Sequence, residues 1–233
     1  MFYADDIDGK KVFKSDLLSD VEHFFTTREI CLFSKDKDMS ANRKLVKDYL
    51  GEQMATNQPV HGVDIARVEN DKYFYEKTDG LLIENGAAFM NFGDCTPLML
   101  YFDKGAMIAH AGWRGTAQEM AKVAVRRIVD EYNVLPKDIK VAIGPAICGK
   151  CYEVGKDVYD ALSLTVQNME QGFDVRNGQY FVDLKQINKQ QLLECGVEQI
   201  DVCPYCTACG EKLFYSYRYE QTGYRHSAVV KVS

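Results

Sequence analysis

The sequence predicts an α+β fold of layered, mixed β-sheets flanked by helices, in a single domain spanning residues 1–233. Three observations predict it. Strand-like and helix-like segments interleave along the chain. The strand-like segments fall into two blocks in series, which disfavours a purely doubly wound sheet. No Pro-, Gly- or Ser-rich linker, internal repeat or low-complexity stretch divides the 233 residues, and 46% apolar with 12% aromatic residues suffices for one substantial core.

The first helix is read at Ser40-Ala-Asn-Arg-Lys-Leu-Val-Lys-Asp-Tyr-Leu50, with Ser40 as N-cap, Gly51 as the stop and an apolar face of Leu45, Val46, Tyr49 and Leu50. Strands follow at GVDIARV, GLLIE, AAFMNF, PLMLYF and AMIAHA, where apolar residues alternate or run continuously. TAQEMAKVAVRRIVDEYN carries Ala121, Ala124, Val125, Ile128, Val129 and Tyr132 at helical spacing, with Thr116 and Glu119 as a capping box. IKVAIGP reads as a buried strand ending in a Gly-Pro turn, followed by a helix over about Lys156 to Met169. A further helix begins at Asp183, with Gln186 as capping partner and Gly196 at its end. Strands near Gln199 to Cys203 and Ser227 to Val232 close the chain.

The net charge of −6 and the scattered basic residues, densest in KDKDMSANRK and VRRI, leave no strip suited to a phosphate backbone, so nucleic acid is not an expected partner. The start MFYADDIDGKK lacks a signal-peptide profile, and no apolar run is long enough to span a bilayer. A cytoplasmic protein, with no membrane partner and with its eight cysteines as thiols or ligands rather than disulfides, is the expectation.

Four histidines are present, and two lie within two residues of a glycine: His61 in NQPVHG and His110 in IAHAGWRGT. Cys95 lies between them in GDCTPLMLYF. The three come from separate segments, 34 and 15 residues apart, and must be gathered by the fold. Two imidazoles and a thiolate would leave a fourth tetrahedral position open, as catalytic zinc sites do. Without metal, Cys95 and His110 could instead be a thiolate and base pair; the bland reading is a buried cysteine and two hydrogen-bonded histidines. Gly112, Arg114 and Gly115 mark a strand-to-helix turn whose free N–H groups and guanidinium suit an anion, such as a phosphate, or ribose hydroxyls. Arg218, amid tyrosines, is a candidate for orienting substrate or a stacked surface residue. Asn42 and Arg43 open a helix; His23 and His226 read as structural. Cys148-x-x-Cys151 and Cys203-x-x-Cys206, with Cys209 three further on, have zinc-ligand spacing, but pairs about 50 residues apart do not fit a compact ribbon, so they read as reduced core or near-site thiols in preference to a four-cysteine site.

With NQPVHG, GDCTPLML, AHAGWRGT, IGPAICGKCYEVG, DLKQINKQQLLECGV and FYSYRYEQTGYRHSAVV in order from about Phe24 onward, the chain resembles the YfiH family. Its members have been described as multicopper polyphenol oxidoreductases or laccase-domain proteins and later as purine nucleoside phosphorylases. The resemblance implies a YfiH-like fold, zinc held by His61, Cys95 and His110, and a cytoplasmic enzyme. It also implies phosphorolysis of adenosine, inosine and 5'-methylthioadenosine, with adenosine deamination as a second activity. Arg114, Gly112, Gly115, Asn42, Arg43 and Arg218 then become candidate substrate or phosphate contacts, and Asp94 a nearby candidate proton donor. A nucleoside and phosphate are the expected partners, and a monomer or weak homodimer the expected state. The rival activities are a copper-dependent polyphenol oxidase, since copper is also a possible metal for these ligands, and a Cys95-based hydrolase of peptidoglycan precursors. The chain departs from the family in a shortened loop through ICLFSKDKDM and in Pro59 after Gln58.

Overall fold

A computed structural model describes all 233 residues, Met1–Ser233. The chain opens with a hairpin of β1 (Phe2–Ile7) and β2 (Lys10–Ser15), closed by Asp8 and Gly9 at φ 53° and 71°. That Asp-Gly pair supplies the two left-handed residues that a tight hairpin turn requires. β3 (Glu22–Thr26) extends the meander, and helix α1 (Ser40–Leu50) ends at Gly51, φ 77°, as its glycine stop predicts. Ser40 is not its cap. The helix begins one residue earlier in the capping sense, at Met39, because the Ser40 hydroxyl and N–H both bind Asp38.

Then follow β4 (Met54–Asn57), β5 (Ile65–Arg67), β6 (Phe74–Tyr75), β7 (Gly80–Ile83), β8 (Gly86–Phe92), β9 (Thr96–Phe102) and β10 (Gly105–Ala111). The next helix starts earlier than its capping box predicts. α2 (Trp113–Ala117) begins directly after Gly112, and α3 (Met120–Tyr132) follows a break at Glu119, which adopts φ 60°. Thr116 lies inside α2, where its hydroxyl receives Asn188, so Thr116 and Glu119 make no capping box.

β11 (Lys140–Ile143), β12 (Glu153–Val154), α4 (Lys156–Ser163), β13 (Phe173–Arg176) and β14 (Gln179–Val182) come next. α4 stops well short of Met169: the Thr165 hydroxyl bonds the Leu162 carbonyl and ends the helix. α5 (Leu184–Glu194) is capped by Asp183, which accepts from the N–H groups of Lys185 and Gln186; the return bond from Gln186 is not made, since the Asp183 N–H donates to Gly172 O. β15 (Gln199–Val202), α6 (Tyr217–Glu220) and β16 (His226–Val232) complete the chain.

The strands form three sheets, in the orders β1-β2-β3-β16-β8-β4-β6, β15-β11-β9-β10-β7-β5 and β12-β14-β13. The two large sheets lie face to face. Phe25, Met90, Phe92 and Ala228 from one meet Met99, Ile108 and Ala106 from the other. Alternate residues of the same strands point outward: Phe24, Phe89 and Val229 pack on Val46 and Leu50 of α1, while Leu98, Leu100 and Met107 pack on Ala121, Ala124, Val125 and Ile128 of α3. The result is four layers, helix, sheet, sheet, helix. Strands buried on both faces explain why β9 and β10 read as continuous apolar runs rather than alternating ones. No helix is long and apolar enough to cross a membrane.

Candidate metal centre and active site

Pairing within the second sheet decides where the chemistry sits. β10 runs antiparallel to both β9 and β7, so its C-terminal end lies beside their beginnings. β5 runs parallel to β7 and starts at the same edge. His110 is at the end of β10, Cys95 precedes β9, Asp79 precedes β7, and His61 precedes β5. Four segments distant in sequence therefore converge at one sheet edge. The ligand atoms of His61, Cys95 and His110 all lie within 4.8 Å of one another.

The two imidazoles meet edge-on, with centroids 5.0 Å apart, and the His110 ring is also flanked by Phe92 at 5.4 Å. His110 is buried, Cys95 half-buried and His61 exposed, so the cluster opens toward solvent on the His61 side. Gly112 is required by close approach: a Cβ there would sit 2.9 Å from Cys95 Sγ and 3.4 Å from the His61 ring.

Behind the cluster stands Asp79, fully buried and absent from the sequence reading. One carboxylate oxygen accepts the His61 N–H at 2.8 Å and lies 3.3 Å from His110 Nδ1; the other accepts the N–H groups of Gly62 and Val60 at 2.8 and 3.2 Å. These bonds hold His61 at φ 65°, a left-handed conformation uncommon for a residue other than glycine. They also engage Nδ1 of His110 and leave its Nε2 for the cluster, the arrangement in which a carboxylate orients a metal-ligating imidazole. The Thr-Asp-Gly around Asp79 looks like an ordinary turn in sequence; only its place before a strand could have flagged it.

The electrostatics are those of a thiolate beside a cationic imidazole. Burial alone would push the Cys95 thiol up, but the charge and hydrogen bonds of His110 and then His61 outweigh it and bring the thiol down to about 6. Burial opposes the charge on His110, yet Cys95 and Asp79 raise that imidazole to about 9. For Asp79, burial acts upward and is overcome by the His110 ring and the loop N–H groups, so its carboxyl titrates below the usual range. A site that stabilises a thiolate beside two imidazoles, with one carboxylate behind, fits a borderline-soft cation such as zinc.

The turn after β10 places Arg114 exposed beside this cluster, its guanidinium 4.3 Å over the Trp113 ring, while Trp113 packs toward Leu162 and Leu184. Gly115 lies tight against the carbonyls of Gly62 and His110, where a Cβ would meet both at 3.2 Å. Arg218 stacks on Tyr152 at 4.8 Å and donates to Glu153 O, on the same side as Cys95, whose charge acts on Tyr152. Burial, with the Cys95 charge second, pushes the Tyr152 phenol up to about 12. Sequence reasoning missed Tyr152 as well, since nothing in CYEVG separates it from the other tyrosines.

Asn42 and Arg43 do not join the cluster: their side chains donate to the carbonyls of Cys31 and Leu32, and Arg43 pairs with Asp38. Asp94 is adjacent to Cys95 in sequence, but both its carboxylate oxygens are taken, one by the Thr207 hydroxyl and one by the Arg218 N–H, each at 2.6 Å. It is a tie between loops rather than a proton donor. His23 and His226 are buried in the first sheet, the former between Ser15 N–H and Val21 O and the latter 3.4 Å from Pro145 O, as structural histidines should be.

Comparison with known proteins gives a consistent picture. A family model described as multi-copper polyphenol oxidoreductase laccase matches residues 25–232. The chain is similar to a purine nucleoside phosphorylase, YlmD, of Geobacillus stearothermophilus, 34% identical over 201 residues, which are 78% of this chain and 73% of that protein. It is also similar to an adenosine deaminase, RL5, from an unknown prokaryotic organism, 32% identical over 136 residues, 55% of this chain and 51% of that one. Among solved structures, a YfiH protein of Bacillus licheniformis superposes with a TM-score of 0.89 at 27% identity, covering 98% of both chains.

Proposed function

Because the chain belongs to the family described as multi-copper polyphenol oxidoreductase laccase, within which it is similar to phosphorylases, we propose that it is a zinc-dependent purine nucleoside phosphorylase. Adenosine, inosine and 5'-methylthioadenosine are its proposed substrates, and adenosine deamination is its second activity, as the similarity to RL5 suggests. The carrying observation is the open cluster of His61, Cys95 and His110, oriented from behind by Asp79. Zinc held there by His61, Cys95 and His110 would supply a Lewis acid and would lower the pKa of a water toward about 7.

The chain's own residues do the rest. Asp79 fixes the His110 ring and the His61 backbone, so the ligand geometry is set before substrate arrives. Arg114 and the N–H groups of the turn after Gly112 take the phosphate near C1' of the ribose. Phosphorolysis passes through an oxocarbenium-like transition state, so holding phosphate and ribose in register supplies most of the acceleration. Tyr152 stays protonated and offers a hydrogen-bond donor beside Cys95, with Arg218 stacked on its ring. The protein is proposed to act in the cytoplasm, as a monomer or weak homodimer.

A copper oxidase is disfavoured by ligand supply: a multicopper centre needs more imidazoles than the two that converge, and His23 and His226 are committed elsewhere. The lowered Cys95 thiol favours one second reading, a cysteine nucleophile paired with His110 that hydrolyses peptidoglycan precursors. Inosine incubated with and without phosphate, beside a Cys95→Ala variant and a chelated sample, separates these. Hypoxanthine release that requires phosphate, zinc and Cys95 is the expected result. Release without phosphate overturns the phosphorylase, and hypoxanthine release that survives chelation but not alkylation of Cys95 overturns the zinc site.

A further inference from the structure

A second group of thiols lies outside this site. Cys148 and Cys151 come from the turn after β11, and Cys206 and Cys209 from the segment after β15, and their four Sγ atoms all lie within 4.8 Å of one another. Sequence spacing pairs Cys203 with Cys206 and sets the two Cys-x-x-Cys units about 50 residues apart; the fold overturns both expectations. Cys203 is fully buried, at the end of β15, and is not among the four. The second unit is Cys206-Thr-Ala-Cys209, and β11 and β15, paired in parallel, deliver the two turns side by side. A bridge between Ala146 and Cys206, with the Thr207 N–H on Ala146 O at 3.2 Å, fixes them together.

From this geometry we infer that Cys148, Cys151, Cys206 and Cys209 form a closed tetrathiolate site for a structural zinc ion, separate from the His61, Cys95 and His110 cluster. Zinc–sulfur bonds of about 2.3 Å in a tetrahedron put sulfurs about 3.8 Å apart. The Cys148 and Cys209 sulfurs are 3.9 Å apart, too far for a disulfide and right for two ligands of one ion. Backbone N–H groups of Cys148 and Ala208 point at Cys206 Sγ, each at 3.3 Å, which is how thiolate charge is spread in a zinc turn. Gly210, directly after Cys209, takes φ 94° and lets the second turn close, with open space where a Cβ would stand. Four sulfurs with no imidazole select zinc or iron, and four protein ligands leave no position for substrate.

The consequence for the first site is positional. Thr207, between two of the proposed ligands, donates to Asp94, and Ile147 next to Cys148 donates its N–H to Asp94 O. Both turns thus clamp the residue that precedes Cys95.

Metal content and cobalt spectroscopy test this on the folded Cys95→Ala protein, in which the first site has lost its sulfur. Expected is one zinc per chain that resists dialysis against a chelator, and, after exchange, the intense visible absorption of tetrahedral cobalt with four thiolates. A Cys95→Ala/Cys151→Ser protein loses that ion and that spectrum. Folded Cys95→Ala protein with no retained zinc, with iron in its place, with a weak octahedral cobalt spectrum, or with disulfides that shorten the free-thiol count under denaturing conditions, overturns the assignment.

Discussion

The two sulfur-bearing clusters are built on opposite plans. His61, Cys95 and His110 are gathered by strand ends of one sheet, each from a different segment, with a buried carboxylate behind and solvent in front. The four cysteines sit in two short turns near the surface, each supplying a local pair, with backbone N–H groups directed at the Cys206 sulfur. The first plan sets orientation and leaves a coordination position open; the second closes it. Chemistry belongs with the former and fastening with the latter, and each can be broken without the other.

The largest expected effect is at the open cluster. Cys95→Ala removes a ligand, and its loss in kcat/KM exceeds the roughly 10- to 100-fold that loss of an outer partner costs; steady-state phosphorolysis measures it, while thermal unfolding shifts little. Asp79→Asn falls in that 10- to 100-fold range, about 1.4 to 2.7 kcal/mol, because the amide no longer takes the loop N–H groups and the His110 ring together. If Asp79→Asn leaves zinc affinity and kcat/KM unchanged, the carboxylate does not set the site. Gly112→Ala puts a methyl at 2.9 Å from Cys95 Sγ. Overpacking of about 1.4 kcal/mol, roughly tenfold in zinc affinity, is expected and is read by competition with a chromophoric chelator.

The smallest effect separates the histidines. His226 is driven down to about 3, chiefly by burial, and His23 is lowered for the same first reason. Between pH 6.5 and 3 the unfolded chain binds the proton that folded His226 refuses, so stability falls as pH drops through that window and is fully present above it. From pH 7 to 5.5 His226 removes about 1 kcal/mol, measured by urea unfolding at the two pH values. His226→Phe flattens the slope; an unchanged slope disproves its part in it.

What could be read from the sequence follows the same division. β8 to β10, α5 with its Asp183 cap, and the Gly51 stop were legible because apolar runs and caps are local signals. So were His61, Cys95 and His110 as a set, through residue type and family resemblance. The N-terminal meander was not read, since Asp and Lys interrupt its apolar alternation, although its Asp8-Gly9 turn was there to find. Asp79 was illegible because its role depends on which strand begins beside which, a fact of sheet pairing. The cysteine pairs were visible yet wrongly joined: parallel pairing of β11 with β15 abolishes a separation of about 50 residues.

Asp94 holds φ 86° with one oxygen on Thr207 and the other on the Arg218 N–H. It is a shared fastener between the tail of the chain and the peptide that carries Cys95. Any attempt to swap residues 203–218 for those of a relative, to retune substrate choice, has to transplant both of its donors as a unit; a graft chosen on side chains lining the reaction space alone would arrive with the backbone of Cys95 unmoored.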